Sequence, residues 1–368
     1  MAASSMTGDG SSTDGPSRGA LRLLAFGYFG VFAALFLFGL AVVFLGDPSA
    51  NEPVVRLSLP PAAQNVATAP IPGTPLAPSG KPQPVPTPPP AAVPNNITQP
   101  VYSGRALVAD PALIENSDHG PLPKIAADGT PPMRAYAAPA LDNGKPRIAI
   151  VVSGLGISAK ATAAALAALP PQVTLAFAPY ASDVQRWVGE ARREGHEVLL
   201  EVPMEPFDFP DSDPGPHTLR AGAGEDANTE RLVWALTRFT GYTGVTNLLG
   251  GRFMSDPDSL EPVLTYLSRR GLLFYDNGAA SHSAAPDVAA RAGVAFAQSN
   301  TTIDSIQTAM EIDRELSDLE NKARANGTAS GAGFIYPVTI ERVQQWAQGL
   351  PGRGFVLVPA SAIVQPKK

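Results

Sequence analysis

Residues 197–219 read EVLLEVPMEPFDFPDSDPGPHTL, and the fold turns on how the opening of this stretch is taken. Val198, Leu199 and Leu200 make a short apolar run of the kind that fills a buried parallel strand. The run ends in the carboxylate of Glu201, and Pro203-Met204-Glu205-Pro206 follows before a long acidic, proline-rich loop. In α/β proteins ligands bind at the carboxyl ends of strands. Holding a fold together does not require two carboxylates four residues apart at such an end. Glu201 and Glu205 are therefore candidate catalytic residues. The competing reading leaves Glu205 in solvent and pairs Glu201 with an arginine.

Working outward, the same pattern repeats. Apolar runs are expected as strands at 148–152, 174–177, 198–201, 244–248, 272–276, 294–297, 333–336 and 355–358. Between them lie helical stretches at 158–169, 182–194, 228–239, 259–270, 283–292, 305–326 and 339–348. Ser158 reads as an N-cap, Asn228 or Asp226 as another, and Gly195 as a helix stop. Eight strands alternating with helices mark a parallel α/β architecture. About 220 residues suit a (β/α)-barrel, closed or incomplete; a doubly wound open sheet is the alternative. Gly154-Leu155-Gly156 is half of a dinucleotide fingerprint, and no acidic residue follows at a second strand end, so no nucleotide is expected.

The 146 residues before this region are of another character. Residues 1–22 are small and polar, ending in Arg18 and Arg22. From Leu23 to Gly46 no residue is charged, and 24 residues exceed the roughly 20 that cross a bilayer as a helix. The arginines precede this span and Asp47 follows it, so the positive-inside rule puts the N-terminus in the cytoplasm. The expectation is a single-pass anchor in the inner membrane with a periplasmic C-terminal domain. Residues 47–104 are a Pro/Ala-rich spacer with too few large apolar side chains to fold; a PxxP ligand is the lesser reading. Residues 105–146 have scattered apolar residues without a period and fit an arm along the domain surface. The domain itself is placed at 147–364.

Composition narrows the function. The chain has 368 residues and a net charge of −6 without long charged runs, which argues against nucleic acid. It has no cysteine, so thiol and disulfide chemistry are excluded. Four histidines, His119, His196, His217 and His282, leave few nitrogen ligands for a metal.

Several strand ends together resemble a family. VVSGLG at 151–156, GHEVLLEVPMEP at 195–206, TNLLGGRF at 246–253, FYDNG at 274–278 and GFVLVPAS at 354–361 are similar, in order and spacing, to the divergent polysaccharide deacetylases. These are membrane-anchored or exported proteins of Gram-negative bacteria, related to carbohydrate esterases with a NodB-like barrel. The resemblance covers about 147–364. It implies a distorted (β/α)-barrel of the glycoside hydrolase/deacetylase type with its site at the strand carboxyl ends, and envelope polysaccharide or peptidoglycan as partner. In active members of the wider class an aspartate and two histidines hold a divalent metal, and a further aspartate acts as base. Here the family's Asp-Asp-Leu-Gly is Ser153-Gly154-Leu155-Gly156. The histidine before PMEP is Glu201, that of the Asn-Asn-His segment is Leu248, and the late Gly-His-Pro element is near 334–337, Phe-Ile-Tyr-Pro.

The residues that remain in matching places are Glu205, Asn247 and Asp276. Glu201, Glu205 and Asp276 are the candidate catalytic carboxylates; Ser153, Asn247 and Arg252 are candidate substrate contacts. No cofactor is expected from matched ligands, though Glu201 and Asp276 offer oxygen to a hard ion. Two readings result. One is a degenerate scaffold that binds glycan, with Phe207, Phe209, Phe253 and Tyr275 as candidate stacking platforms. The other is a deacetylase with a rearranged, carboxylate-based site.

Overall fold

The computed structural model describes residues 109–364. The expected membrane span at 23–46 and the whole spacer at 47–104 lie outside them. Among the described residues no helix is long and apolar enough to cross a membrane.

The arm comes first. A hairpin of β1 (Ile114–Ser117) and β2 (Gly120–Pro123) leads to a single helical turn, α1 (Pro132–Ala135). It packs on the base of the main domain rather than trailing from it. Leu113, Leu122 and Tyr136 are buried, Met133 N donates to Gly271 O, and Arg270 donates to Glu115 and to Pro123 O. The domain therefore starts well before residue 147.

The main sheet opens with β3 (Arg147–Leu155). It continues through β4 (Thr174–Phe177), β5 (Val198–Met204), β6 (Gly244–Leu249), β7 (Leu273–Asp276) and β8 (Ala295–Gln298). Then come β9 (Thr301–Thr302), β10 (Thr328–Phe334) and β11 (Val356–Val358). The connections are α2 (Ala159–Ala168), α3 (Val184–Arg193), α4 (Glu225–Leu236), α5 (Pro257–Arg269), α6 (Ala285–Ala292), α7 (Ala309–Asn326) and α8 (Pro337–Gly349). All nine strands pair in parallel, in the order β8, β7, β6, β5, β4, β3, β10, β9, with β11 on the start of β3. β8 and β9 are one bent segment. Ser299 N still bonds to Asp276 O on the β7 side, while Asn300 N and Ile303 N bond to Ser330 O and Ala332 O on β10. That segment pairs at both ends of the sheet, and the parallel strands form a half-barrel, the incomplete form of the (β/α)-barrel that the sequence pattern allows.

Period-two alternation sorts the side chains. Ile148, Ile150 and Val152 of β3, Leu175 and Phe177 of β4, and Val198, Leu200 and Val202 of β5 face outward into one continuous core with the helices. Val151, Ala176, Leu199, Leu273, Tyr275, Ala297 and Ala332 point inward and fill the lumen. Ser158 caps α2 as expected, its side chain accepting from Ala161 N. Asn228 is not a cap: α4 starts at Glu225, and the buried Asn228 amide instead bonds Arg220 N and O.

The strand expected at 333–336 lies earlier, at β10. Its sequence, TASGAGF, has only Thr328 among the β-branched residues that mark a strand. The reason is close packing on its outer face. A Cβ at Gly331 would fall 2.6 Å from Leu319 of α7 and 2.8 Å from Ile303.

At the base, the fully buried Glu197 ties three segments together. It accepts from Ser361 N at 3.0 Å, from the Ser361 hydroxyl, from Thr174 Oγ1 at 3.4 Å and from Ala138 N at 3.3 Å. Arg192 beside it donates to Tyr136 O. The arm, the barrel and the C-terminal turn thus share one buried polar network.

Candidate functional site

Parallel pairing keeps register neighbours on the same face, so Glu201, Thr246 and Tyr275, which are aligned across β5, β6 and β7, all point into the lumen. Ser153 shares the inward parity of Val151. The Tyr275 hydroxyl and Ser330 Oγ bond at 2.7 Å, linking β7 to β10. Ser153 Oγ, Glu201 Oε2 and Thr246 Oγ1 are buried without a hydrogen-bond partner of ordinary geometry. Such unpaired polar atoms are uncommon in a folded interior; His196 Nε2 at the base is another.

Glu201 is thus a mid-strand, inward residue rather than a strand-end one. Its Oε1 accepts from Gly154 N at 2.9 Å. Burial raises its pKa from 4.5 to about 7, with the Gly154 amide and the nearby Ser153 hydroxyl pulling the other way. Gly154 itself has φ +85°, and a Cβ there would fall 2.4 Å from the Phe334 ring. The position where the resembling family carries its second aspartate therefore has neither the backbone nor the room for one.

The strand carboxyl ends surround a cavity of about 140 Å³ lined by Ser153, Asn277, Thr302, Asp304 and Phe334. Asp304 was not foreseen. It is buried, its Oδ2 accepts from Phe334 N at 2.7 Å and Thr339 Oγ1 at 2.8 Å, and burial raises its pKa. It follows a strand only two residues long, which leaves no periodic signal to flag it. A larger, more apolar cavity of about 330 Å³ opens between Leu141, Ala168, Leu350 and Phe355 at the base. No carboxylate lines it and it faces away from the strand carboxyl ends, so the mouth is the candidate site.

The other expected residues are engaged separately. Asp276 is fully buried; Oδ1 accepts from Gly278 N at 2.9 Å and Oδ2 from Gln298 Nε2 at 3.2 Å, and burial raises its pKa. Asn247 and Asn277 grip one another. Asn247 Nδ2 donates to Asn277 Oδ1 at 2.8 Å and Asn277 N to Asn247 Oδ1 at 3.0 Å, while Asn277 Nδ2 donates to Asn247 O at 2.7 Å. Asn247 is therefore a clamp between β6 and β7.

Glu205 closes the root of the long loop. Its Oε2 accepts from Ala221 N at 2.8 Å, its carbonyl accepts from Arg252 N and Phe253 N, and Arg252 Nη1 lies 3.3 Å from Oε1. The Arg252 side chain is half-exposed, so this pair adds little stability. Phe253 and Tyr275 are completely buried and present no platform; Phe209 is half-buried under Arg220, and Phe207 is exposed against Gly251. Farther along the loop, His217 stacks on Trp234 of α4 with ring centres 3.7 Å apart, and Tyr180 OH accepts from His217 N.

The divalent metal implied by the family resemblance does not fit this donor set. Among the described residues no three His, Cys, Asp or Glu side chains are grouped to hold one. His196 sits at the base with Nδ1 against Val173 O, His217 is stacked on Trp234, and His119 and His282 are exposed.

Comparison with known proteins agrees with this architecture. A protein of Agrobacterium tumefaciens of known structure is 42% identical, covers 67% of this chain and 100% of its own, and superposes with a TM-score of 0.65. The Escherichia coli protein YibQ is 26% identical over 219 residues, 59% of this chain and 67% of its own. A Haemophilus influenzae protein is 25% identical over 205 residues, 56% of this chain and 72% of its own. The model of the divergent polysaccharide deacetylases matches residues 150–364, more than half of the sequence and nearly the whole barrel. The chain belongs to the divergent polysaccharide deacetylase family.

Proposed function

We propose that the barrel mouth binds envelope glycan, peptidoglycan or a related polysaccharide, without metal-dependent turnover. One observation carries this reading. The mouth keeps a cavity with hydrogen-bonding side chains beside an aromatic ring, Ser153, Asn277, Thr302, Asp304 and Phe334, while the residues at the family's metal-site positions are Ser153, Gly154, Glu201 and Leu248. Water activation by a divalent ion needs three or more well-placed ligands, and this donor set does not supply them. Co-sedimentation with purified peptidoglycan, and titration with acetylated chitooligosaccharide, test the reading. Retention weakened by Asp304→Asn supports it; absence of retention, with a known binder retained alongside, sinks it.

A second reading rests on Glu201. A carboxyl held near 7 is in the range where general acid–base work is efficient, so a metal-free hydrolase is the competing function. Acetate release from the same oligosaccharide, abolished by Glu201→Gln or Asp276→Asn, would replace the binding-only reading.

The setting belongs to the same proposal. The uncharged segment at 23–46 spans the inner membrane and the barrel works in the periplasm. Protease added to spheroplasts digests the domain if this is right; protection of the domain until the membrane is lysed overturns it.

A further inference from the structure

Eight large apolar residues are exposed among the described residues, and six of them ring the mouth. Ile157 follows β3, Tyr180 follows β4, Phe207 follows β5, Leu249 ends β6, and Ile306 and Met310 follow β9. The other two, Ile125 and Leu141, lie away from it. With ordinary side-chain sizes the six together expose on the order of 700 Å² around the rim.

The chemistry of this collar is mostly aliphatic. Sugar rings stack on flat aromatic faces, and only Tyr180 and Phe207 offer one. Ile157, Leu249, Ile306 and Met310 suit a flexible chain, and Met310, 75% exposed, adapts its shape to what it meets. Leu249 adds a second kind of observation. Its φ is +58°, uncommon for any residue other than glycine, and Asn247 Nδ2 holds it there by donating to its carbonyl at 2.7 Å. Strain maintained in order to present an apolar side chain to solvent is a mark of a binding surface. The adjoining loop carries exposed Asp208, Asp211 and Asp213 against exposed Arg220 and Arg252 at its root, an acidic excess that disfavours an anionic head group.

We infer that the natural ligand is an amphiphile, a neutral or cationic sugar carrying an aliphatic chain, with the sugar in the mouth cavity and the chain on the collar. This rests on the glycan-binding reading and sharpens its ligand class. The cavity of about 140 Å³ takes no more than a single sugar. Exposed Ile306 follows the cavity-lining Asp304 by two residues, so one molecule that is polar at one end can reach both.

The test uses residues 91–368, which hold the whole described core. Methyl, hexyl and octyl glycosides of N-acetylglucosamine are titrated below their micellar concentrations by calorimetry. Each buried methylene strengthens binding about fourfold, so the octyl glycoside should bind more than tenfold tighter than the methyl one. In the triple variant Phe207→Ser, Ile306→Asn, Met310→Gln the octyl-to-methyl ratio should fall towards one. Equal affinities in the unaltered protein overturn the inference while leaving sugar binding intact. A ratio that survives the triple variant but disappears with Leu141→Ser puts the chain in the base cavity and also overturns it. No binding of any glycoside, together with no retention on peptidoglycan, defeats the underlying reading instead.

Discussion

Glu201 shows how much one side chain's surroundings decide. Burial lifts its pKa from 4.5 to about 7, so folding favours the protonated carboxyl. That contribution is intact below pH 4.5 and is lost as pH rises through 7. Glu201→Gln keeps the shape and removes the titration. Between pH 4.5 and 8 the stability difference should therefore move in the variant's favour by up to ~3 kcal/mol, measured by denaturant titration at both ends. The sequence singles out this residue by type and place, but not its orientation. A strand ending at 201 makes it a rim group; three further strand residues, with Pro203 among them, turn it into a lumen group. Asp304 escapes notice for the opposite reason, because nothing around it is long enough to show a period.

At the scale of elements, the Asn247–Asn277 pair is the clearest case of a motif residue with structural work. Five hydrogen bonds meet there: three between the two residues, one to Leu249 O and one from Ala279 N to Asn277 Oδ1. Removing either side chain leaves buried amide groups without partners. Asn247→Ala and Asn277→Ala should each cost about 2–3 kcal/mol, and the double variant less than their sum, with a coupling of ~1 kcal/mol or more; thermal or urea unfolding of the four-member cycle reads this directly. Most elements here were legible. The strands beginning near 148, 174, 198, 244 and 272 carry apolar runs between turn residues, and Ser158 announces its helix. β10 was not legible, because close packing by α7 and Ile303 selects glycine and alanine where propensity looks for valine and isoleucine. β9 is too short to show a period, and Asn228 has the residue type of a cap although its side chain bonds backbone across a loop instead of along a helix.

For the molecule as a whole, the arm changes where the domain begins. A fragment starting at residue 147 loses Leu113, Leu122 and Tyr136 from the core, and loses the Ala138 amide and Tyr136 carbonyl from the network around Glu197 and Arg192. Three buried side chains at roughly 2–3 kcal/mol each approach the whole stability of an ordinary domain, about 5–15 kcal/mol. The fragment 147–368 should melt at least 10 °C below 105–368 or fail to stay soluble, as followed by circular dichroism. In the sequence this arm reads as an ordered stretch without structure of its own, because its contacts are with residues more than fifty positions away, such as Glu197 with Ala138 and Arg270 with Glu115. The barrel class, by contrast, was carried by the strand–helix alternation and by the motif spacing together.

The flat contact between His217 and Trp234 gives the long β5 loop a built-in optical signal. A charged imidazole drains emission from an indole that it touches. Burial and the nearby Arg238 guanidinium keep the His217 pKa below its ordinary value, so the indole should stay bright at neutral pH and dim on acidification. His217→Gln should abolish the dimming that Trp234 contributes, leaving Trp187 and Trp346 as background. Any compound that lifts the loop from α4 parts the two rings, and fluorescence at acidic pH then registers its arrival without a label.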